Sequence, residues 1–426
     1  MTTLLATALL DAILERFPFS DELVAAARRA AARELGTATA DAQARAHANV
    51  LRAFADEGVA ESDLAGSLGY GYDDAARARY ESLLARIFGA ERALARLSLV
   101  SGTHAIVTAI DACLPHEGRL ISATGRPYDT LRNAIADAPY SLARRGVRYD
   151  EIPFDDAGDV DLGALARACE RGVDVVFVQR SRGYAPRRSL SASECGTIAR
   201  TVRTVAPHAF VLVDNCYGEL VEATEPTHHG VDAVMGSLIK NLGGALAPGG
   251  GYVIGRSEVI ERVAARHYAP GLGTGVGSTL GFGRALVQGL FNAPSVVGEA
   301  LAGLDFASAL FAELGYRVDP APGEPRRDIV QAIGLGTAER LVTFARGLQR
   351  AMPLNARFAP EPGPVPGYRD PVVMSGGAFV NGATIELSCD APLRAPFEVY
   401  LQGGTSRSHA ALGALFAADL LGKESK

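Results

Sequence analysis

Along the chain the spacing of hydrophobic and polar positions changes character twice. From Ala25 to about Phe54 the chain is rich in Ala and Arg, with apolar positions at mixed helical spacing, which predicts a helical arm over 1–66. The run Ser67-Leu-Gly-Tyr-Gly-Tyr-Asp73 interrupts it as a loop, because two glycines with tyrosines between them hold no stable helix. Helical spacing resumes over Asp74–Phe88. From Val100 onward short β-branched runs take over, at Arg119–Ser122, Arg148–Ile152, Val173–Gln179, Ala209–Val213, Ala233–Met235 and Gly251–Ile254. The helical stretches between several of them are long enough to cross over a sheet. Strands apolar along their whole length are buried on both faces, as in a parallel sheet covered by helices. Residues 67–294 therefore predict a large α/β domain. Beyond Pro294 come long helical patterns at Ser295–Leu314 and Gly336–Ala351, then a Pro/Gly-rich connector at Pro360–Gly367. A strand-like stretch at Ala383–Leu387 and a closing helix complete a smaller α+β domain over 295–426.

Composition narrows the class. In 426 residues, 48% are apolar and 21% charged, globular proportions that exclude a disordered, collagen-like or coiled-coil chain. With 42 Lys plus Arg against 48 Asp plus Glu, the net charge of −6 argues against a surface that coats nucleic acid. Five scattered cysteines without a CxxC pair suit a reducing compartment and no structural zinc. The adjacent His228 and His229 cannot turn both rings to one ion from a regular helix or strand, so no metal site is expected. Pure apolar runs fall short of the ~20 residues that span a bilayer. Met1–Arg16 carries Asp11 and Glu15 without a basic leader and small-residue cleavage site. These features predict a soluble, cytoplasmic protein with no membrane or nucleic-acid partner.

In open parallel sheets ligands sit outside the carboxyl ends of the strands, so chemistry is sought just after each strand. Ser237-Leu-Ile-Lys-Asn-Leu-Gly-Gly244 places Lys240 where a strand runs into a Gly-rich loop. A lysine with its backbone held there can bond an aldehyde as a Schiff base, its amine made less basic by burial; the competing reading is a surface lysine in a turn. Phe210-Val-Leu-Val-Asp-Asn215 ends an apolar strand in Asp214, which can pair with the ring nitrogen of pyridoxal phosphate or serve as a helix cap. Ser101-Gly102-Thr103 opens a helix, where free N–H groups and the positive dipole end suit a phosphate. An ordinary cap by Ser101 or Thr103 explains the same residues, and His104 reads as a local packing or hydrogen-bonding residue. Tyr128, within Gly125-Arg-Pro-Tyr-Asp-Thr130, can stack on a flat ring or stand as a half-buried loop tyrosine.

Read in order with Gly69-Tyr-Gly-Tyr-Asp73, Gln179-Arg-Ser-Arg-Gly-Tyr184, Val213-Asp-Asn-Cys-Tyr-Gly-Glu219 and Tyr400-Leu-Gln-Gly-Gly404, these stretches carry a resemblance across most of the chain. The chain resembles the fold-type-I pyridoxal-phosphate enzymes of cysteine and methionine metabolism. Among them it is most similar to the methionine γ-lyase-like, aluminium-resistance (cystathionine lyase) group. The resemblance implies an aspartate-aminotransferase-like α/β fold with a mostly parallel central sheet and a smaller C-terminal α+β domain. It implies pyridoxal 5'-phosphate as cofactor, with Lys240 as Schiff-base lysine and base, Asp214 on the ring nitrogen and Tyr128 stacked on the ring. Ser101, Gly102 and Thr103 would hold the phosphate with Ser237, and Tyr70 or Tyr72 would reach the phosphate of a neighbouring subunit.

The chain departs from these relatives in places. It has Tyr-Gly-Tyr-Asp where they have Tyr-x-Arg, and Ile385-Glu-Leu-Ser388 where an Arg-Leu-Ser stretch binds the substrate carboxylate. Arg182, Arg369 and Arg394 are the candidates for that task. The usual Asn-Pro pattern after the Val173–Gln179 strand is also missing, leaving Ser181 or Arg182 for the phenolic oxygen. The implied activity is elimination of a β- or γ-substituent from an L-amino acid, giving a 2-oxo acid or a hydroxy amino acid. The substituent is sulfur-linked, or linked through oxygen or nitrogen as in canavanine. A γ-replacement synthase and a non-catalytic, cofactor- or metal-binding tolerance protein are the alternatives. The expected partners are an amino-acid substrate and further copies of the chain, in a dimer or tetramer with shared sites.

Overall fold

The β-branched runs become strands where their pattern places them. The computed structural model describes residues 3–424, so the outermost residues of the predicted arm and small domain lie outside it. By its internal contacts the chain divides into two units, one running from Arg45 to Asn292 and the other combining the segment up to Ala44 with that from Ala293 onward.

The first unit holds a seven-stranded sheet. Its strands are β1 (Arg92–Arg96), β2 (Arg119–Ser122), β3 (Arg148–Glu151), β4 (Val175–Gln179), β5 (Phe210–Asp214), β6 (Ala233–Ser237) and β7 (Gly251–Gly255). They lie in the order β1-β7-β6-β5-β4-β2-β3. β6, β5, β4, β2 and β3 run parallel, and β7 is antiparallel to both β6 and β1. β4, β5 and β6 are buried along their whole length, as strands covered on both faces must be. Edge strand β3, in contrast, alternates exposed and half-buried residues.

Leu94, Ile106, Ile110, Leu120, Phe177, Leu212, Met235, Val253 and Val263 share one core on a face of this sheet. Each large aliphatic residue so buried contributes about 1.5–3 kcal/mol relative to exposure. β1 escapes the sequence pattern because Arg-Ala-Leu-Ala-Arg has no β-branched residue. It is a strand because its backbone pairs with β7 along its length, while the buried Arg96 pairs with Glu81 and donates to the Tyr268 hydroxyl at 2.7 Å.

The second unit carries a five-stranded antiparallel sheet in the order β10-β11-β12-β9-β8. Its strands are β8 (Arg317–Asp319), β9 (Val330–Gly334), β10 (Val372–Gly376), β11 (Ser388–Pro392) and β12 (Glu398–Gln402). The strand-like stretch Ala383–Leu387 is a turn, and β11 begins only after it. Its Glu386 carboxylate folds back to accept Phe379 N–H at 3.0 Å and Val380 N–H at 3.3 Å, and Ile385 O accepts from Gly404. These bonds close a turn that a polar–apolar alternation cannot reveal.

The stretch predicted as one arm divides. Helices Thr7–Arg16 and Asp21–Ala31 pack with the C-terminal segment, where Phe17 meets Phe416 edge-on at 5.1 Å and Arg29 pairs with Glu313 at 2.8 Å. Pro294 lies inside helix Gly283–Glu313 instead of opening a new one. This helix is long and apolar enough to cross a membrane, but most of its apolar stretch is buried in the protein, as a core helix is.

Candidate active site

The carboxyl ends of β4, β5 and β6 gather the predicted residues. After β6 the chain turns at once. Lys240 N–H donates to Ser237 O at 3.4 Å, a short helical turn follows over Asn241–Gly243, and Gly244 closes it with φ +51°. A Cβ at Gly243 would sit 2.1 Å from Leu238 O, so the turn requires glycine there. Lys240 is one of three lysines in the chain, the others being Lys423 and Lys426. Its amine stands 3.8 Å from the centroid of the Tyr217 ring.

Asp214 ends β5 level with Gln179 of β4 and Met235 of β6. It is buried, accepts the Cys216 N–H at 3.1 Å and forms no ion pair among the described residues. Burial pushes its carboxyl up, and the Cys216 hydrogen bonds and the charges of Lys240 and Arg187 only partly offset this. The Lys240 amine goes the other way from the expectation. Burial pushes its pKa down, but Tyr217, Cys216 and Glu219 pull it up and prevail. A reading that weighs burial alone misses the acidic neighbours of the β5 loop.

Ser101 caps helix Gly102–Cys113, its hydroxyl accepting His104 N–H at 3.1 Å, and His104 Nδ1 accepts Val100 N–H at 3.3 Å. A Cβ on Gly102 would lie 3.2 Å from Ser237 Cβ and 3.3 Å from Cys216 Sγ, so the helix start abuts the end of β6 closely. Thr103 Oγ1 and the Tyr128 hydroxyl are 2.8 Å apart. Tyr128 is half-buried, and its N–H donates to Gln179 Oε1 at 2.9 Å. Gln179 Nε2 in turn donates to Ser181 O at 3.1 Å. Thr103, Tyr128, Gln179 and Ser181 are thus one hydrogen-bonded chain across the ends of three elements.

The candidate arginines part company. Arg182 is buried beside Ser181 in the loop after β4, where its N–H donates to Ser189 Oγ at 3.0 Å. Arg369 and Arg394 belong to the other unit; the first is exposed and the second pairs with Asp370 at 3.4 Å. Tyr70 and Tyr72 are 79% and 64% exposed, on the loop predicted at 67–73, with ring centroids 5.9 Å apart. They take no part in the Lys240 cluster.

Sequence reasoning missed Tyr217, Glu219, Gln179 and Arg187 as site residues. All lie in or near stretches that carry the resemblance, but no spacing rule shows that a tyrosine with φ +71° turns back onto a lysine. Glu219 is fully buried, and it accepts the Tyr252 hydroxyl at 2.6 Å on Oε1 while Oε2 has no partner. Burial pushes its carboxyl up to about 8 despite the Tyr252 hydrogen bond.

The donor set fits pyridoxal phosphate on its own geometry. It offers a capped helix start with no Cβ at Gly102, an amine, an aromatic ring on a hydrogen-bonded tether, and a buried carboxylate without an ion-pair partner among the described residues. Among the described residues, no three His, Cys, Asp or Glu side chains converge as a metal-ligand set.

A family model for methionine gamma-lyase matches residues 22–421. The uncharacterized protein YnbB of Bacillus subtilis is 39% identical over 364 residues, 84% of this chain and 86% of that one. A crystal structure from Clostridium acetobutylicum, of a protein provisionally named a cystathionine beta-lyase involved in aluminum resistance, is 36% identical. It superposes with a TM-score of 0.92 over 97% of this chain and 99% of that one. A pyridoxal-5'-phosphate dependent protein of Escherichia coli, YhfS, shares the fold at 19% identity and a TM-score of 0.61, covering 89% of this chain and 96% of that one.

Proposed function

Because this chain belongs to the methionine gamma-lyase family, we propose that it is a pyridoxal-phosphate-dependent lyase that removes a β- or γ-substituent from an L-amino acid. The observation that carries the reading is the convergence of the Lys240 amine, the buried Asp214 and the Gly102–Ser237 contact at the carboxyl ends of parallel strands. The name of the Clostridium acetobutylicum relative supports a sulfur leaving group.

Ser101, Gly102 and Thr103 bind the phosphate through the helix start, with the Ser237 hydroxyl beside them. Asp214 holds a proton on the ring nitrogen, an ion pair that would relieve its buried charge. Tyr128, kept in place by Thr103 and Gln179, would cover one face of the ring. Pyridoxal phosphate, when bound, supplies an aldehyde for the substrate amine and a ring that accepts the electrons of the broken bond. Lys240 Nζ then takes the proton from the substrate α-carbon and returns it where the leaving group departs, as general base and acid in turn. Its raised basicity keeps the amine protonated, and the cationic ring close by would lower it toward the range in which it can both take and give a proton. Arg182, buried in the loop after β4, is our choice for the substrate carboxylate. Tyr70 or Tyr72, exposed on their loop, is proposed to complete the phosphate site of a second copy, which makes a dimer the smallest active unit in the cytoplasm.

The test is direct. The purified protein should be yellow, lose its colour to borohydride, and release a 2-oxo acid from at least one member of a panel of β- and γ-substituted amino acids. Lys240→Ala should remove both colour change and turnover. A colourless protein that takes up no added pyridoxal phosphate would refute the reading.

A further inference from the structure

Three consecutive residues after β5 are clamped from outside their own loop. Asn241 Nδ2 donates to Tyr217 O at 3.1 Å and to Glu219 O at 2.8 Å. Arg180 Nη1 donates to Gly218 O at 3.0 Å and to Asn215 Oδ1 at 2.6 Å. From β7, the Tyr252 hydroxyl holds the Glu219 side chain. The loop needs such support, because Tyr217 at φ +71° and Leu220 at φ +61° both sit in the left-handed region, a strain of about 1–3 kcal/mol for each such residue. What the strain secures is the meeting of Tyr217 with Lys240: the face of the ring lies 3.8 Å from the amine, and the Tyr217 side chain also hydrogen-bonds it. The clamp is tied to the lysine itself, since Asn241 is its chain neighbour.

We propose that Tyr217 is a positioning residue for Lys240, its ring face and its hydroxyl holding the amine and its own place fixed by Asn241 and Arg180. The inference rests on the reading of Lys240 as the cofactor lysine. In such an enzyme Lys240 must release the aldehyde whenever a substrate amine takes its place. It then needs a resting place within reach, and an aromatic face is attractive to the ammonium and adds no nucleophile. The groups around the amine are Tyr217, Cys216, Glu219 and Asp214 from β5 and its loop, with Tyr252 of β7 acting through Glu219.

With three lysines in the chain, reductive methylation with carbon-13 formaldehyde leaves few signals besides the amino terminus, and Lys240 can be titrated by NMR without any cofactor. Its midpoint in Tyr217→Leu should fall by about one pH unit or more, the size of a desolvated cation–π contact. Tyr217→Phe, which keeps the ring but loses the hydroxyl hydrogen bond, should fall by less than Tyr217→Leu. Asn241→Ala should fall in the same direction by less, and it serves if Tyr217→Leu does not fold. The rate of pyridoxal phosphate uptake, followed by absorbance, should drop several-fold in Tyr217→Leu and recover in part in Tyr217→Phe. An unchanged Lys240 midpoint in Tyr217→Leu or Asn241→Ala, or an equal loss in Tyr217→Phe, overturns the proposal. If the wild type takes up no pyridoxal phosphate, the functional reading fails instead, and the amine titration still decides the role of the ring.

Discussion

Two loops of the same unit are built from tyrosine next to glycine, and they have opposite fates. In Tyr70-Gly71-Tyr72 both rings stand in solvent, and what is held is the backbone. Arg77 donates to Gly277 O at 2.8 Å and Gly275 O at 3.1 Å, and Tyr70 O accepts the Gly277 N–H at 2.8 Å. In Cys216-Tyr217-Gly218 the ring is half-buried against Lys240, and acidic and basic side chains lie fully buried beneath it. Arg180 is wholly buried and pairs with Glu222 and, at 3.6 Å, with Glu225. Local composition thus does not decide whether a Tyr-Gly loop offers its rings outward or inward. The charges packed under it do.

The comparison can be broken at four points, in falling order of effect. Arg180→Met leaves Glu222 and Glu225 without their buried partner, and we expect a loss of about 3–5 kcal/mol in urea denaturation. A loss as small as that of an exposed arginine would remove the buried clamp from the account. Glu219→Gln is expected to change the pH dependence of stability. The folded carboxyl, raised to about 8 from 4.5, binds a proton that the unfolded chain releases between those values. Wild-type stability therefore falls as pH rises through that window, by up to about 1.4 kcal/mol per unit, and the glutamine variant should lose that slope. Denaturation midpoints at several pH values between the two limits check it, and parallel curves would contradict it.

At the exposed loop, Arg77→Met removes donors to carbonyls but strands no buried charge. The expected cost is about 1–3 kcal/mol, below that of Arg180→Met. A larger loss than in Arg180→Met would invert the comparison. Tyr72→Ala should change stability by no more than about 0.5 kcal/mol, as an exposed side chain does. If the loop serves a second copy, however, this variant should release pyridoxal phosphate at a higher protein concentration on dilution than the wild type. Unchanged cofactor retention in this variant and in Tyr70→Ala would leave the exposed rings without that role.

Much of this site is legible in the chain because its parts are local. Ser101 caps its helix through a bond that spans three positions, and Asp214 and Lys240 sit where apolar strands end, which continuous apolar runs of strand length reveal. Tyr128 is also found locally, although its partners Thr103 and Gln179 are not. The residues missed are those whose role depends on distant partners. Glu219 is an ordinary loop glutamate until β7 brings Tyr252 to it. The stretch Ala383–Leu387 reads as a strand until Glu386 turns back onto Phe379.

The sequence by itself determined the strand runs β2 to β7, a cap at the start of helix Gly102–Cys113, the loop at 67–73 and the residues at the strand ends, since each depends on periodicity or on bonds between near neighbours. Only the tertiary structure decided that the N-terminal helices join the C-terminal segment, that Tyr217 faces Lys240, and that the amine becomes more basic instead of less. Those outcomes depend on which charges are buried together, and burial is set by the packing of segments far apart in the chain.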